Sequence, residues 1–163
     1  MVIVVCGVAG SGKTTIGTLL AQRLGVPYAD ADEFHPESNR RKMAAGMPLT
    51  DVDRLPWLEA IAAWIDERVA AGESGVTSCS ALKRAYRDLL REGRPQVRLV
   101  FLDVDPEVIQ ERLRHRHGHF FPPDLARSQF AALDRPHEDE RQVIMVDGNL
   151  PPDQVVDTIL AKT

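Results

Sequence analysis

The sequence predicts an α/β fold, a parallel sheet with helices on both faces. Two observations predict it. Five short apolar runs alternate with segments of helical periodicity, the order that builds βαβ units. The first run, Met1 to Cys6, leads into Gly7-Val8-Ala9-Gly10-Ser11-Gly12-Lys13-Thr14, which fits G-x-x-x-x-G-K-[ST], and then into Ile16, Leu19, Leu20, Ala21 and Leu24 at helical spacing. Strand, loop and helix arrive in the order a phosphate-binding loop requires. The glycines let successive backbone N–H groups turn inward as an anion nest, and the helix starting near Lys13 adds the positive end of its dipole. Lys13 is then placed to reach terminal phosphates, and the hydroxyl of Thr14 to complete the shell of a Mg²⁺ ion.

At 163 residues the chain suits one domain with a sizeable core. A net charge of -4 argues against a nucleic-acid partner, which leaves a basic footprint. No apolar segment approaches the length of a membrane span, and the first strand leaves no room for a signal peptide, so a cytoplasmic location is the default expectation. Cys6 and Cys79 both lie in apolar runs and read as reduced core residues.

After the first helix, Gly25 is the stop and Val26 to Asp30 a short second strand, which Pro27 confines to its own start or to a sheet edge. Residues 31–54 are polar and lack a sustained period, with a short helix over Asn39 to Ala45; a long irregular insert in a compact domain is usually functional. Leu55 to Ala71 is a helix, Gly75 to Cys79 the third strand, and Ala81 to Arg91 a helix closed by Gly93 and Pro95. Val97 to Val104 has the continuous apolar run of a strand buried on both faces. Asp105-Pro106-Glu107 supplies an N-cap, a first helical residue and an acidic first turn for a helix to about His117. Leu125 to Leu133 resumes helix, Val143 to Asp147 is the fifth strand, and Asp153 to Ala161 the closing helix.

Ligands of such sheets bind beyond the carboxyl ends of the strands. That rule selects Asp30, Asp32, Ser78, Ser80, Asp103 and Asp147. Asp32, at the start of the insert, is a better general base than Asp103, whose position ahead of Asp105-Pro106 suits helix capping. The insert adds His35, Arg40, Arg41, Lys42, Asp51, Asp53 and Arg54, each of which singly reads as a solvated surface group but which together form a mixture able to bind a polar anion. Lys83 and Arg87, four apart, share a helix face and are expected to point into one pocket. The basic run Arg112 to Phe121 contains histidines two apart, a spacing that faces different ways on a helix and argues against a metal site. It reads instead as a lid hinged at Gly118, with Arg112 and Arg116 neutralising phosphate during transfer. Ser80-Ala81-Leu82-Lys83 echoes a guanine-nucleotide switch element, but no Asn-Lys-x-Asp motif accompanies it.

Together these residues resemble a gluconate kinase of the small phosphate-loop type, similar in fold to shikimate and nucleoside monophosphate kinases. The resemblance spans nearly the whole chain. It rests on the loop, on Asp30-Ala31-Asp32-Glu33-Phe34-His35-Pro36 with Asn39 and Lys42-Met43, and on Gly46 to Leu58. It continues through Cys79-Ser80-Ala81-Leu82-Lys83, Tyr86 to Arg91 and Gly118-His119-Phe120-Phe121. It departs at Ala31, where glycine is expected, and at Leu133-Asp134-Arg135-Pro136. The resemblance implies a three-layer P-loop kinase fold with a five-stranded parallel sheet in the order 2-3-1-4-5. It also implies a single domain over 1–163, a substrate-binding insert at about 31–56, a lid at about 117–130 and a possible homodimer.

The implied activity is transfer of the γ-phosphoryl group of ATP to the 6-hydroxyl of D-gluconate, with Mg²⁺. The implied catalytic residues are Lys13, Asp32 and Arg116. The implied ATP site comprises Gly7, Ala9, Gly10, Ser11, Gly12, Lys13, Thr14, Thr15, Arg112, Arg116, Asn149 and Pro151, with adenine between Arg112 and the turn Gly148 to Pro151. Arg54, Lys83 and Arg87 are expected to hold the gluconate carboxylate, and Asp32, His35, Ser80, His119 and Gln129 to read hydroxyls. Thr14 is the expected magnesium ligand, with Asp32 possible. Two other readings stay open: a kinase for another sugar acid, shikimate or a nucleoside monophosphate, and an ATP-binding regulatory module without transferase activity.

Overall fold

The computed structural model of the protein describes residues 1–115, 125–140 and 142–163. Five strands, β1 (Val2–Cys6), β2 (Tyr28–Asp30), β3 (Gly75–Ser78), β4 (Val97–Asp103) and β5 (Val143–Asp147), form one sheet in the order β2-β3-β1-β4-β5. Every neighbouring pair is parallel, with Val4 opposite Thr77 on one side and Leu99 on the other. The α/β class and the strand order are as the sequence led one to expect.

Parallel strands need covering on both faces, and β1 supplies alternating side chains to each. Val2, Val4 and Cys6 pack with Trp57, Leu58, Ile61 and Ile65 of α3 (Asp51–Ala70) and with Tyr86 and Leu90 of α4 (Arg84–Arg91). Ile3 and Val5 pack on the opposite face with Ile16 and Leu20 of α1 (Lys13–Leu24) and with Val155, Val156 and Ile159 of α7 (Pro152–Lys162). A fully buried Leu or Ile in such a layer contributes about 1.5–3 kcal/mol. Cys6 and Cys79 are both free and buried, as expected of core thiols, and burial pushes the Cys6 thiol up to about 12. A third cluster, Val8, Leu82, Val104 and Ile109, lies under the loops at the carboxyl edge and supports α5 (Pro106–Arg114).

Local differences from expectation have identifiable causes. α3 begins at Asp51 rather than Leu55, because Thr50 and Asp53 form a capping box: Asp53 N–H donates to Thr50 Oγ1 at 3.1 Å and Thr50 N–H to Asp53 Oδ2 at 2.9 Å. Pro56 lies inside this helix, where its missing N–H removes the bond that Val52 O would otherwise accept. The short insert helix α2 spans Glu37–Ala44, after a 3₁₀ turn at Ala31–Phe34. α4 starts three residues later than expected, since Ala81 holds a left-handed φ of 38°. Asp105 occupies the N-cap position of α5, but its side chain makes no capping bond. α6 spans Leu125–Ala132; of the expected lid at about 117–130, residues 117–124 lie outside the described residues and the remainder is the first part of α6. Among the described residues no helix is long and apolar enough to cross a membrane.

Candidate active site

β1 delivers the chain into the glycine loop at the sheet's carboxyl edge, and α1 begins directly behind it. Gly7 N–H donates to Ser80 O at 3.4 Å, which ties the loop to the turn after β3, and Ser11 N–H donates to Val8 O at 3.1 Å. A Cβ at Gly7 would lie 2.6 Å from Ser11 Oγ and 3.3 Å from Leu102 O, so only glycine fits there. Gly12 caps α1 with φ 97°, a left-handed conformation that glycine adopts without strain. Ser11 Oγ, in the loop itself, is buried and has no hydrogen-bond partner among the described residues. These features suit oxygen-rich phosphate.

Lys13 Nζ donates to Val8 O at 2.9 Å, folding over the loop. Burial lowers its pKa, opposed by the field of Asp32. Thr14 and Thr15 are exposed at the start of α1. Arg112, from α5, donates through Nη1 to Gly10 O at 3.3 Å and Ser11 O at 3.2 Å, and through Nη2 to Gly148 O at 3.0 Å. One guanidinium thus joins the phosphate loop to the turn bearing Asn149 and Pro151. Asn149 orders that turn, accepting from Asp105 N–H at 3.2 Å and donating to Asp147 at 2.9 Å, while Pro151 opens α7.

The residues expected at the acceptor end come from three elements. Asp30 Oδ1 receives Asp32 N–H at 2.9 Å and sets the 3₁₀ turn that exposes Asp32. His35 closes this turn and stacks on Trp57 at 4.4 Å and 10°; burial, with the charges of Arg40 and Arg54, lowers its pKa to about 4, so the ring is neutral at ordinary pH. Arg54 donates to Tyr86 Oη at 3.3 Å, and Tyr86 in turn donates to Asp51. Lys83 Nζ donates to the same carboxylate at 2.8 Å. Hydrogen bonds from Lys83 and Tyr86 hold the Asp51 carboxyl below its usual range. Asp32, His35, Arg54, Ser80 and Lys83 therefore gather beyond the carboxyl ends of β2 and β3, beside the loop.

A family model described as shikimate kinase matches residues 9–163 of this chain. A gluconokinase of Gluconobacter oxydans (strain 621H) is 45% identical over 158 residues, 97% of this chain and 88% of that protein. This chain belongs to the gluconokinase family. Among solved structures, a gluconokinase from Sinorhizobium meliloti 1021 superposes with a TM-score of 0.85 at 46% identity, covering 98% of this chain and 89% of that one. A sugar kinase from Janibacter sp. HTCC2649 does so with a TM-score of 0.89 at 48% identity, covering 98% and 92%.

In this gluconokinase-family chain, two expected acceptor-site residues stand elsewhere. Arg87 is fully buried, and all five of its N–H donors are engaged: Glu140 takes two at 2.9 Å, and the carbonyls of Ala81, Leu82 and Asp134 take the rest at 3.1, 3.0 and 2.7 Å. It does not share a pocket with Lys83, because the late start of α4 puts Lys83 in the extended segment before the helix. Gln129, from α6, accepts Ala9 N–H at 3.0 Å and so sits on the phosphate loop. Arg116 and His119 lie outside the described residues. Asp103 pairs through both carboxylate oxygens with Arg135. In the sequence Asn39, Trp57 and Tyr86 carry no assigned role, Asp51 reads as a solvated surface group, and Glu140 gives no signal. The Thr50-x-x-Asp53 signature could have placed Asp51 and Arg54 on a helix; no sequence pattern links Glu140 to Arg87.

Proposed function

We propose that this protein transfers the γ-phosphoryl group of ATP to the 6-hydroxyl of D-gluconate, giving 6-phospho-D-gluconate and ADP. The observation that carries this reading is the near full-length likeness to gluconokinases, in a chain whose phosphate loop adjoins a cluster of cations and hydrogen-bonding groups. In the transfer, the bond from the γ-phosphorus to the β-bridging oxygen breaks and a bond to the 6-oxygen forms. Asp32 takes the hydroxyl proton, and Lys13 neutralises charge on the migrating group. Arg54 and Lys83 hold the carboxylate of the acid, with His35 and Ser80 on its hydroxyls.

The donor set beside the loop, Thr14 hydroxyl and Asp32 carboxylate, is hard oxygen and fits Mg²⁺, which keeps several waters and phosphate oxygens in its shell. Bound there, Mg²⁺ would offset charge on the β- and γ-phosphates. Adenine lies between Arg112 and the turn Gly148 to Pro151. Arg116 and the lid at about 117–130 complete the neutralisation on closure, residues 31–56 form the acceptor site, and residues 1–163 act as one catalytic domain. A cytoplasmic location and a homodimer belong to the same reading.

The test is an acceptor screen by ADP release in Mg-ATP. Gluconate should stimulate turnover, while shikimate and AMP should not. A folded, nucleotide-loaded protein that phosphorylates no sugar acid would overturn the assignment.

A further inference from the structure

His35 and Asn39 form a polar pair in the wall of the acceptor site, and its chemistry is fixed by a third atom. Asn39 is 1% exposed, and its Nδ2 lies 2.8 Å from Asp53 O and 3.2 Å from His35 Nδ1. A backbone carbonyl can only accept, so the amide group facing Asp53 O must be the NH₂ end. That nitrogen has two hydrogens to give and no lone pair to offer. Its second hydrogen points at His35 Nδ1, which must therefore accept. The ring is held in this register by Trp57, which stacks on its face and is itself pinned by a bond from Nε1–H to Ala31 O at 2.7 Å, while Arg40 Nε fixes the backbone beneath it by donating to His35 O at 3.2 Å.

We propose that Asn39 is a positioning residue which locks His35 as the neutral tautomer protonated on Nε2, making His35 an obligate hydrogen-bond donor to the sugar acid. This rests on the gluconate reading above. The donor edge selects an acceptor oxygen, a carboxylate or hydroxyl of the substrate. An imidazole of the other tautomer would leave the same substrate oxygen facing a lone pair. Asn39, although it touches no ligand, thus sets which partner His35 can bind.

The test has two independent arms. Histidine-labelled protein, with the His35 signals assigned by loss in His35→Gln, should show by ¹⁵N NMR an unprotonated Nδ1 and a protonated Nε2 near neutral pH. A protonated Nδ1 overturns the lock. In kinetics, His35→Phe, which keeps the stack and removes the donor, should raise the gluconate KM about tenfold with kcat and the ATP KM little changed, the loss expected for one hydrogen bond. Asn39→Leu should raise the gluconate KM in the same sense and mix the two tautomers; His35→Gln, which restores an N–H donor, should recover part of the affinity. Unchanged gluconate KM in a folded His35→Phe overturns the donor role, whatever Asn39→Leu does. If the wild-type protein phosphorylates no gluconate, the functional reading and the donor role both fail, while the NMR result still decides the tautomer.

Discussion

Arg87 and Glu140 form a bidentate ion pair that is sealed from solvent, with side-chain exposures of 0% and 1%. The pair holds the left-handed turn at Ala81, next to the loop contact of Ser80, against the segment that follows α6. Arg91 adds a second cation at 3.3 Å from the same carboxylate. Burial opposes ionisation of Glu140, but the hydrogen bonds and charge of Arg87, with the charge of Arg91, outweigh it and hold the carboxyl below its ordinary value.

Glu140→Ala would strand a buried guanidinium and should lower unfolding free energy by about 3–5 kcal/mol, read from the denaturant midpoint. Because the folded carboxyl is more acidic than the unfolded one, its contribution is complete above the unfolded value of 4.5 and is lost as pH falls through the lower folded value. The stability gap between wild type and Glu140→Ala should therefore hold at neutral pH and narrow in acid. A gap that widens in acid would contradict this. Replacing both partners by apolar residues should not recover the loss, since three backbone carbonyls would lose a donor.

Lys13→Ala removes the ammonium over the loop and should lower kcat by about a thousandfold. Asp32→Asn should lower kcat by about 10²–10⁴-fold while changing gluconate affinity little, as expected when a proton acceptor is lost. Steady-state kinetics check both. Near-normal kcat in Asp32→Asn would move the base elsewhere, with Asp103 the next carboxylate at that edge, although Arg135 already engages it.

Arg112→Ala cuts the bridge from the phosphate loop to the Gly148 turn. ATP affinity measured by calorimetry should weaken by about tenfold or more, the loss of charge-assisted hydrogen bonds, with the gluconate KM little changed. An equal effect on both ligands would mean that the bridge supports the whole carboxyl edge.

Lys83 Nζ already donates to Asp51 at 2.8 Å, so the substrate carboxylate proposed to bind Lys83 would have to displace that contact. Asp51→Asn should therefore lower the gluconate KM, by about threefold for an exposed pair of this kind. A raised KM would show that Asp51 orients Lys83 rather than occupying it.

Much of the fold is legible because its signals are local. The five apolar runs, the glycine loop and the stops at Gly25 and Gly93 depend on neighbours within a few residues, so strand and helix positions come within a few residues of those observed. The start of α3 is hidden for a local reason, since Pro56 and the polar residues before it mask the cap at Thr50. The place of Arg87 is hidden for a different one. Helical spacing relates it to Lys83, but spacing cannot report that α4 begins after Lys83 or that Glu140 waits across the fold.

By itself, then, the sequence determined the α/β class, the phosphate cradle and which polar side chains were candidates for the carboxyl edge, because periodicity and loop chemistry are written in adjacent residues. Only the tertiary structure decided what each of those side chains does with its hydrogen bonds: Arg87 turned inward to Glu140, Gln129 onto the Ala9 amide, Asn39 between Asp53 and His35. A polar group in the interior must find its partner wherever the packed chain brings one, and that partner is set by three-dimensional proximity, not by distance along the sequence.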